Sequence, residues 1–239
     1  MMASNDPDLP SIAMVMGDPA RVRQAANLIE DPTDLWLTHG FLGIQGTYRE
    51  RPILLCSHGV GASGASLAFE RLFRSGVKSI IRAGTCGSMQ PGVKEGALVI
   101  ATAAIRGDGT SSQILPLEYP AVADYRIVDS LQSAARAHGY PEVHTGLVWS
   151  SGVFYHTPFV SSGEEIWTQA GALAGEMELA LLFVMAGCYG AAAGGILAVE
   201  GGTDEDLDPW SGGSERDLSV AATRAMLEIG LEALVSVES

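Results

Sequence analysis

Residues 179–199, LALLFVMAGCYGAAAGGILAV, form an uncharged run whose reading decides the fold. About 20 apolar residues cross a bilayer core, so its length admits a membrane span. Its internal pattern favours a protein core. Gly194-Gly195 divides the run into a helix-length piece and a five-residue strand, Ile196 to Glu200. Glu178 and Glu200 bracket it, and the interface anchors that position a span are missing. The run reads as a buried helix followed by a buried strand.

Similar apolar runs recur along the chain: SIAMVM (11–16), PILLCS (52–57), KSIIRA (78–83), GALVIATAAI (96–105) and VHTGLVWS (143–150), with GGILAVE (194–200) last. Continuous apolar runs bounded by Gly, Pro or Asp suit strands covered on both faces. Between them, 65–75 repeats apolar residues at helical spacing through Ala65, Ala68, Phe69, Leu72 and Phe73. Asp124 to His138 starts on a capping residue and stops before Gly139, and 218–235 aligns Leu227, Leu231, Leu234 and Val235. The expected fold is α/β: one domain over 1–239, with a mixed central β-sheet flanked by helices.

Composition narrows the function. With 47% apolar and 18% charged residues there is material for a core. A net charge of −14, from 14 basic against 28 acidic residues, excludes non-specific nucleic-acid binding, which needs a basic surface. An anionic ligand therefore requires a local positive pocket. Cys56, Cys86 and Cys188 lack CxxC spacing, so zinc and disulfides are not expected, and free thiols suit a reducing compartment, by default the cytoplasm. MMASNDPDLPS has no secretory pattern.

Four motifs have the chemistry for such a pocket. In MVMGDPARV (14–22) a strand ends at Gly17, Asp18 can cap, Pro19 starts a helix, and Arg21 adds charge beside the helix N–H groups. HGVGASG (58–64) matches the dinucleotide spacing Gly59-x-Gly61-x-x-Gly64, but the next strand carries Arg82 where a ribose-binding carboxylate belongs, leaving NADP a weak competitor to a packing turn. In IIRAGTCGSMQP (80–91) a buried strand delivers Arg82 into a small turn, Gly84 to Gly87, with Thr85 as hydroxyl donor. A buried arginine needs an anion or a carboxylate, and an oxyanion cradle is the favoured reading. In GEMELALL (175–182) Glu176 and Glu178 precede the apolar helix, suited to capping it or to holding vicinal hydroxyls.

GDPAR, SHGVGASG, IIRAGTCGSMQPG, AAIRGDGTS, GEMELA and GGILAVEGG stand in the order and spacing of the nucleoside phosphorylase-I family. The chain resembles most closely its hexameric-type purine nucleoside phosphorylases, apicomplexan ones included; uridine phosphorylases are more distant. The resemblance implies that inorganic phosphate cleaves a nucleoside to base and ribose 1-phosphate in a homo-oligomer, with no cofactor or metal. It places phosphate on Gly17, Arg21, Arg82 and Thr85, ribose on Met177 and Glu178, and base beside Cys86, Gly87, Phe154 and Gly175 to Glu176. Glu200 falls where purine enzymes carry an aspartate that serves N7 of the leaving base.

Three departures stand out. His39 replaces an arginine that neighbouring subunits usually lend to phosphate. The first 38 residues lack the histidine that family members send to the ribose 5′-hydroxyl. Glu200 is one methylene longer than the usual aspartate. Uridine phosphorylases read uracil with a Gln and an Arg just after the FY pair, where FYHTPFV has Pro158 and Val160, so inosine or guanosine is expected. A uridine phosphorylase or a phosphate-independent nucleosidase of the same fold, and a non-catalytic nucleoside-binding oligomer, are the alternatives. In AVEGGTDEDLDPW (198–210) Glu200 is the expected acid and Asp204 the fallback; Glu205, Asp206 and Asp208 read as a solvated loop, with Trp210 as the apolar contact of a lid.

Overall fold

Most of the uncharged run folds inside the protein; Gly187, Cys188, Tyr189 and Gly190, at the end of its helix, are exposed. A computed structural model describes residues 9–155, 159, 163–201 and 217–237. Its elements are β1 (Ile12–Met16), α1 (Pro19–Ala26), β2 (Glu30–Thr38), β3 (Phe41–Tyr48), β4 (Arg51–Ser57), α2 (Ala62–Arg74), β5 (Ser79–Ser88) and β6 (Leu98–Gly107). Then follow α3 (Ser111–Ile114), α4 (Tyr125–His138), β7 (Val143–Ser151), α5 (Glu164–Gln169), β8 (Ala174–Glu176), α6 (Leu179–Tyr189), β9 (Ala192–Gly201) and α7 (Asp217–Ser236). Leu179 to Ala186 of α6 are all buried, and Gly190 closes the helix in the left-handed conformation at φ 61°. Among the described residues no helix is long and apolar enough to cross a membrane.

The glycine pair does not divide helix from strand, as its sequence suggests. Gly194 and Gly195 lie within β9, whose pairing with β5 begins at Ala192. They are there for space: a Cβ on Gly194 would come within 2.3 Å of Ile127, and one on Gly195 within 2.5 Å of Leu179. Each lets a helix, α4 or α6, press onto the strand.

The sheet has nine strands in the order β2-β3-β4-β1-β5-β8-β7-β6-β9, and β9 also pairs with β5, so the last five strands close into a ring. Pairing is mixed: β1, β4, β5 and β9 run parallel, while β2–β3, β3–β4, β5–β8 and β6–β9 are antiparallel. Strand alternation divides side chains between two cores. Ala13, Val15, Leu54, Cys56 and Ile80 face the side of α2 and α6. Ile12, Met14, Met16, Ile53, Leu55 and Ile81 face the side of α1, α4 and α7. Coverage on both faces explains why these strands read as continuous apolar runs.

Three strands were not visible in those runs. β2 is largely exposed, β3 carries Gly43 and Gly46, and β8 has three residues. The 65–75 helix begins earlier, at Ala62. Capping by Asp18 and Asp124 follows expectation, since both side chains accept from the N–H two residues on.

Candidate active site

Parallel β1, β4, β5 and β9 present their C-terminal ends at one edge, the place where open α/β sheets bind ligands. Register sets the site residues side by side. Arg82 pairs with Val15 of β1 and with Gly195 of β9, Thr85 with Ala198, and Cys86 with Val199. Gly87 meets both Gly201 and Gly175. Gly84 to Gly87 are therefore not a flexible turn: β5 continues through them because β8 and β9 supply ladder partners on its two edges.

Arg82 is the centre of the cluster. Its guanidinium packs over Gly84, where a Cβ would lie only 1.9 Å from Nη1. Nη2 donates to Glu178 Oε2, and Nη1 lies 3.6 Å from Glu176 Oε2. Arg82 thus has the carboxylate partner that a structural pair would give it, while Nε and Nη1 have no hydrogen-bond acceptor among the described residues. Burial works against the cation, yet Glu178 and then Glu176 outweigh it and raise the Arg82 pKa.

The two glutamates differ in environment. Glu176 accepts from Ser150 Oγ and from the backbone N–H groups of Glu178 and Leu179, 2.8 and 2.9 Å from Oε2, so it caps α6. Burial raises its pKa against the opposing field of Arg82. Glu178 Oε1 accepts from the Gly61 N–H at 2.6 Å. Burial would push its carboxyl up, but Arg82, His58 and the Gly61 N–H together hold it below the usual range. Positive φ at Gly59 and Gly61, 75° and 85°, lets the HGVGASG turn aim this N–H at Glu178. That role and the Arg82 ion pair leave the dinucleotide reading without support. Met177 lies over the same turn, its Cε 4.0 Å from where a Gly61 Cβ would stand.

Arg21 and Glu200 form the other half. Arg21 Nη2 lies 3.7 Å from Glu200 Oε1, with side chains 17% and 25% exposed. Burial lowers the Arg21 pKa, Glu200 opposes this, and Arg82 adds to it. The strand end is thus more open than an apolar run implies, and Glu200 faces a cation. Gly17 follows β1, and a Cβ there would lie 3.3 Å from the Gly59 carbonyl. Thr85 is half-buried, and buried Cys86 lies 3.6 Å from the Ala198 carbonyl.

His39 and Phe154 stand apart from the buried cluster. His39 and Gly40 form the β2–β3 hairpin turn, with φ of 49° and 82°, the conformation such two-residue turns require. His39 is exposed, and Ser57 ties the turn to β4 by donating to the Gly40 carbonyl at 3.0 Å. Phe154, 42% exposed, packs edge-on against Tyr155 beyond β7. Asp204 and Trp210, with Pro158 and Val160, lie outside the described residues.

His58 is the residue that sequence reasoning passed over. It is fully buried beside Phe69, with ring centroids 5.3 Å apart, and neither ring nitrogen makes a well-formed hydrogen bond. A polar residue closing the apolar run PILLCS was the available signal. Burial pushes its pKa down to about 4, against Glu178 and with help from Arg82 and Arg21. The unfolded ring titrates near 6.5, so between those values the unfolded chain holds a proton that the folded chain refuses. Stability attributable to His58 is therefore complete above pH 6.5 and falls as pH drops, by roughly 2 kcal/mol at pH 5. In urea unfolding, wild type should lose that much more stability than His58→Phe between pH 7 and pH 5. Equal losses would mean that the folded ring is protonated.

The fold and the cluster define a class: an α/β protein that gathers two arginines and three glutamates towards the C-terminal ends of parallel strands. The Phosphorylase superfamily model matches residues 11–236, and the chain belongs to that family. Its relatives are nucleoside phosphorylases, which are pentosyltransferases. It is 36% identical over 191 residues to a purine nucleoside phosphorylase of Plasmodium falciparum, covering 80% of this chain and 78% of that protein. It is 34% identical over 211 residues to a uridine phosphorylase of Escherichia coli, covering 83% of each. A solved purine nucleoside phosphorylase from Toxoplasma gondii, in complex with immucillin-H, superposes with a TM-score of 0.86 at 31% identity, covering 95% of this chain and 91% of that one.

Proposed function

We propose that this chain cleaves purine nucleosides of the inosine and guanosine type with inorganic phosphate, releasing the base and ribose 1-phosphate. The observation that carries the reading is the convergence of two guanidiniums, half-buried Arg21 and buried Arg82, with two carboxylates, Glu178 and Glu200. A hydrolase that activates water has no need of two arginines there. Phosphate binds on Arg21, Arg82, Thr85 and the Gly17 backbone, and Glu178 accepts from the ribose 2′- and 3′-hydroxyls beside Met177.

A phosphate oxygen attacks C1′ as the bond from C1′ to N9 breaks. The bonding electron pair leaves with the purine, and Glu200, after taking a proton from water once phosphate holds Arg21, delivers that proton to N7. The arginines hold the nucleophile and the departing base receives charge compensation, the two electrostatic demands of this transition state. Purine is favoured over uracil because Glu200 stands where purine enzymes carry an acid, and Pro158 and Val160 lack the side-chain amide and guanidinium that read uracil.

We further assign a homo-oligomer in which the exposed His39 hairpin reaches a neighbouring subunit's phosphate. Leu37, 68% exposed on the same hairpin, suits such a contact. The three free thiols suit the reducing cytoplasm. No cofactor is assigned, phosphate being the co-substrate. The test is a cleavage panel of inosine, guanosine, adenosine, uridine and methylthioadenosine with and without phosphate. Phosphate-dependent release of hypoxanthine or guanine with ribose 1-phosphate is expected. Faster uridine cleavage would assign uracil instead, and phosphate-independent cleavage would make the protein a nucleosidase.

A further inference from the structure

The two ion pairs run crosswise between the two halves of the site. Each arginine assigned to phosphate is held by a carboxylate assigned to the nucleoside: Arg82 by Glu178, and Arg21 by Glu200 at 3.7 Å. We infer that phosphate and nucleoside bind cooperatively here because each releases the groups the other needs, through exchange of these two ion pairs. The inference rests on the phosphorolysis reading above.

Geometry favours such an exchange. Arg82 is nearly enclosed, with only 6% of its side chain exposed, so an entering anion has to share or displace Glu178. Arg82 Nε and Nη1 have no acceptor among the described residues, leaving donors ready for phosphate. Glu176, 3.6 Å from Nη1, stays in place, since Ser150 and the first N–H groups of α6 engage its oxygens. Glu178 keeps its Gly61 hydrogen bond at 2.6 Å through Oε1, so only Oε2 needs a new partner, and ribose hydroxyls supply one. A phosphate dianion matches the charge of the two guanidiniums, as the two carboxylates do before it enters. The added methylene of Glu200 extends its reach towards Arg21, a reach that an aspartate on the same strand position would lack.

Calorimetry of the full chain tests this with inorganic phosphate and a purine C-nucleoside, whose carbon–carbon glycosidic bond phosphate does not cleave. Each ligand is expected to tighten the other by the same factor, about tenfold or more, as linkage requires. Glu200→Asp should bind phosphate alone several-fold more tightly than wild type and show a smaller coupling factor. Glu178→Gln should do likewise while binding the C-nucleoside more weakly; a merely structural role would weaken both ligands. Independent binding in wild type, or variants that bind phosphate no more tightly, would overturn the exchange and leave phosphorolysis standing. If wild type binds neither ligand, both readings fall.

Discussion

Arg82→Ala is expected to lower kcat/KM for phosphate by about 10³-fold, at the upper range for removing one donor from a preorganised anion site. The same change should cost stability, because it strands Glu178 and Glu176 in the interior without the cation that balances them. Removing one partner of a buried pair costs about 3–5 kcal/mol, which for a chain of this size lowers Tm on the order of 10 °C. Nucleoside affinity should change as well, since Glu178 loses the partner that competes with ribose. Arg82→Lys keeps the charge without the planar fork and should fall between the two in both respects. Steady-state kinetics over a phosphate series, with thermal unfolding, checks each expectation. Phosphate kinetics unchanged in Arg82→Ala would remove Arg82 from the cradle.

Glu200→Gln is expected to slow inosine cleavage by about 10²- to 10⁴-fold, the usual worth of a positioned proton donor. The comparison that isolates its role is a 7-methylated purine nucleoside, whose base already carries positive charge and leaves without a proton at N7. That substrate should lose little rate in the variant. Equal losses on both substrates would show that Glu200 only positions the base, and Glu200→Gln combined with Asp204→Asn would then locate the acid. Phosphate affinity adds a second readout, because Glu200 is the carboxylate nearest Arg21 among the described residues, at 3.7 Å.

How much of this was legible beforehand depended on the kind of signal. Buried β1, β4, β5 and β9 announce themselves because both faces of the sheet are covered, so nearly every side chain must be apolar. The β2–β3 hairpin escaped because β2 is mostly exposed and its turn is made by His39-Gly40 rather than by Asn-Gly. GTCG read as a turn from its small residues. It is strand because close neighbours on both edges need small residues, a requirement set by distant parts of the chain. Arg82, Glu178 and Arg21 stood out as charges bordering apolar runs, whereas the importance of His58 appears only once its ring is seen enclosed near Glu178.

The sequence by itself determined the alternation of strand and helix, the local positive groups in an acidic chain, and the motif order that marks the family. These follow from residue type and spacing, which act over a few positions. Only the tertiary structure decided who holds whom. Arg82 and Glu178 are ninety-six residues apart, and Arg21 and Glu200 farther still; strand pairing around β5 brings the start of α1, the start of α6 and the end of β9 together. Exclusion of water there makes ion pairing the condition for burying Arg82 and Glu178.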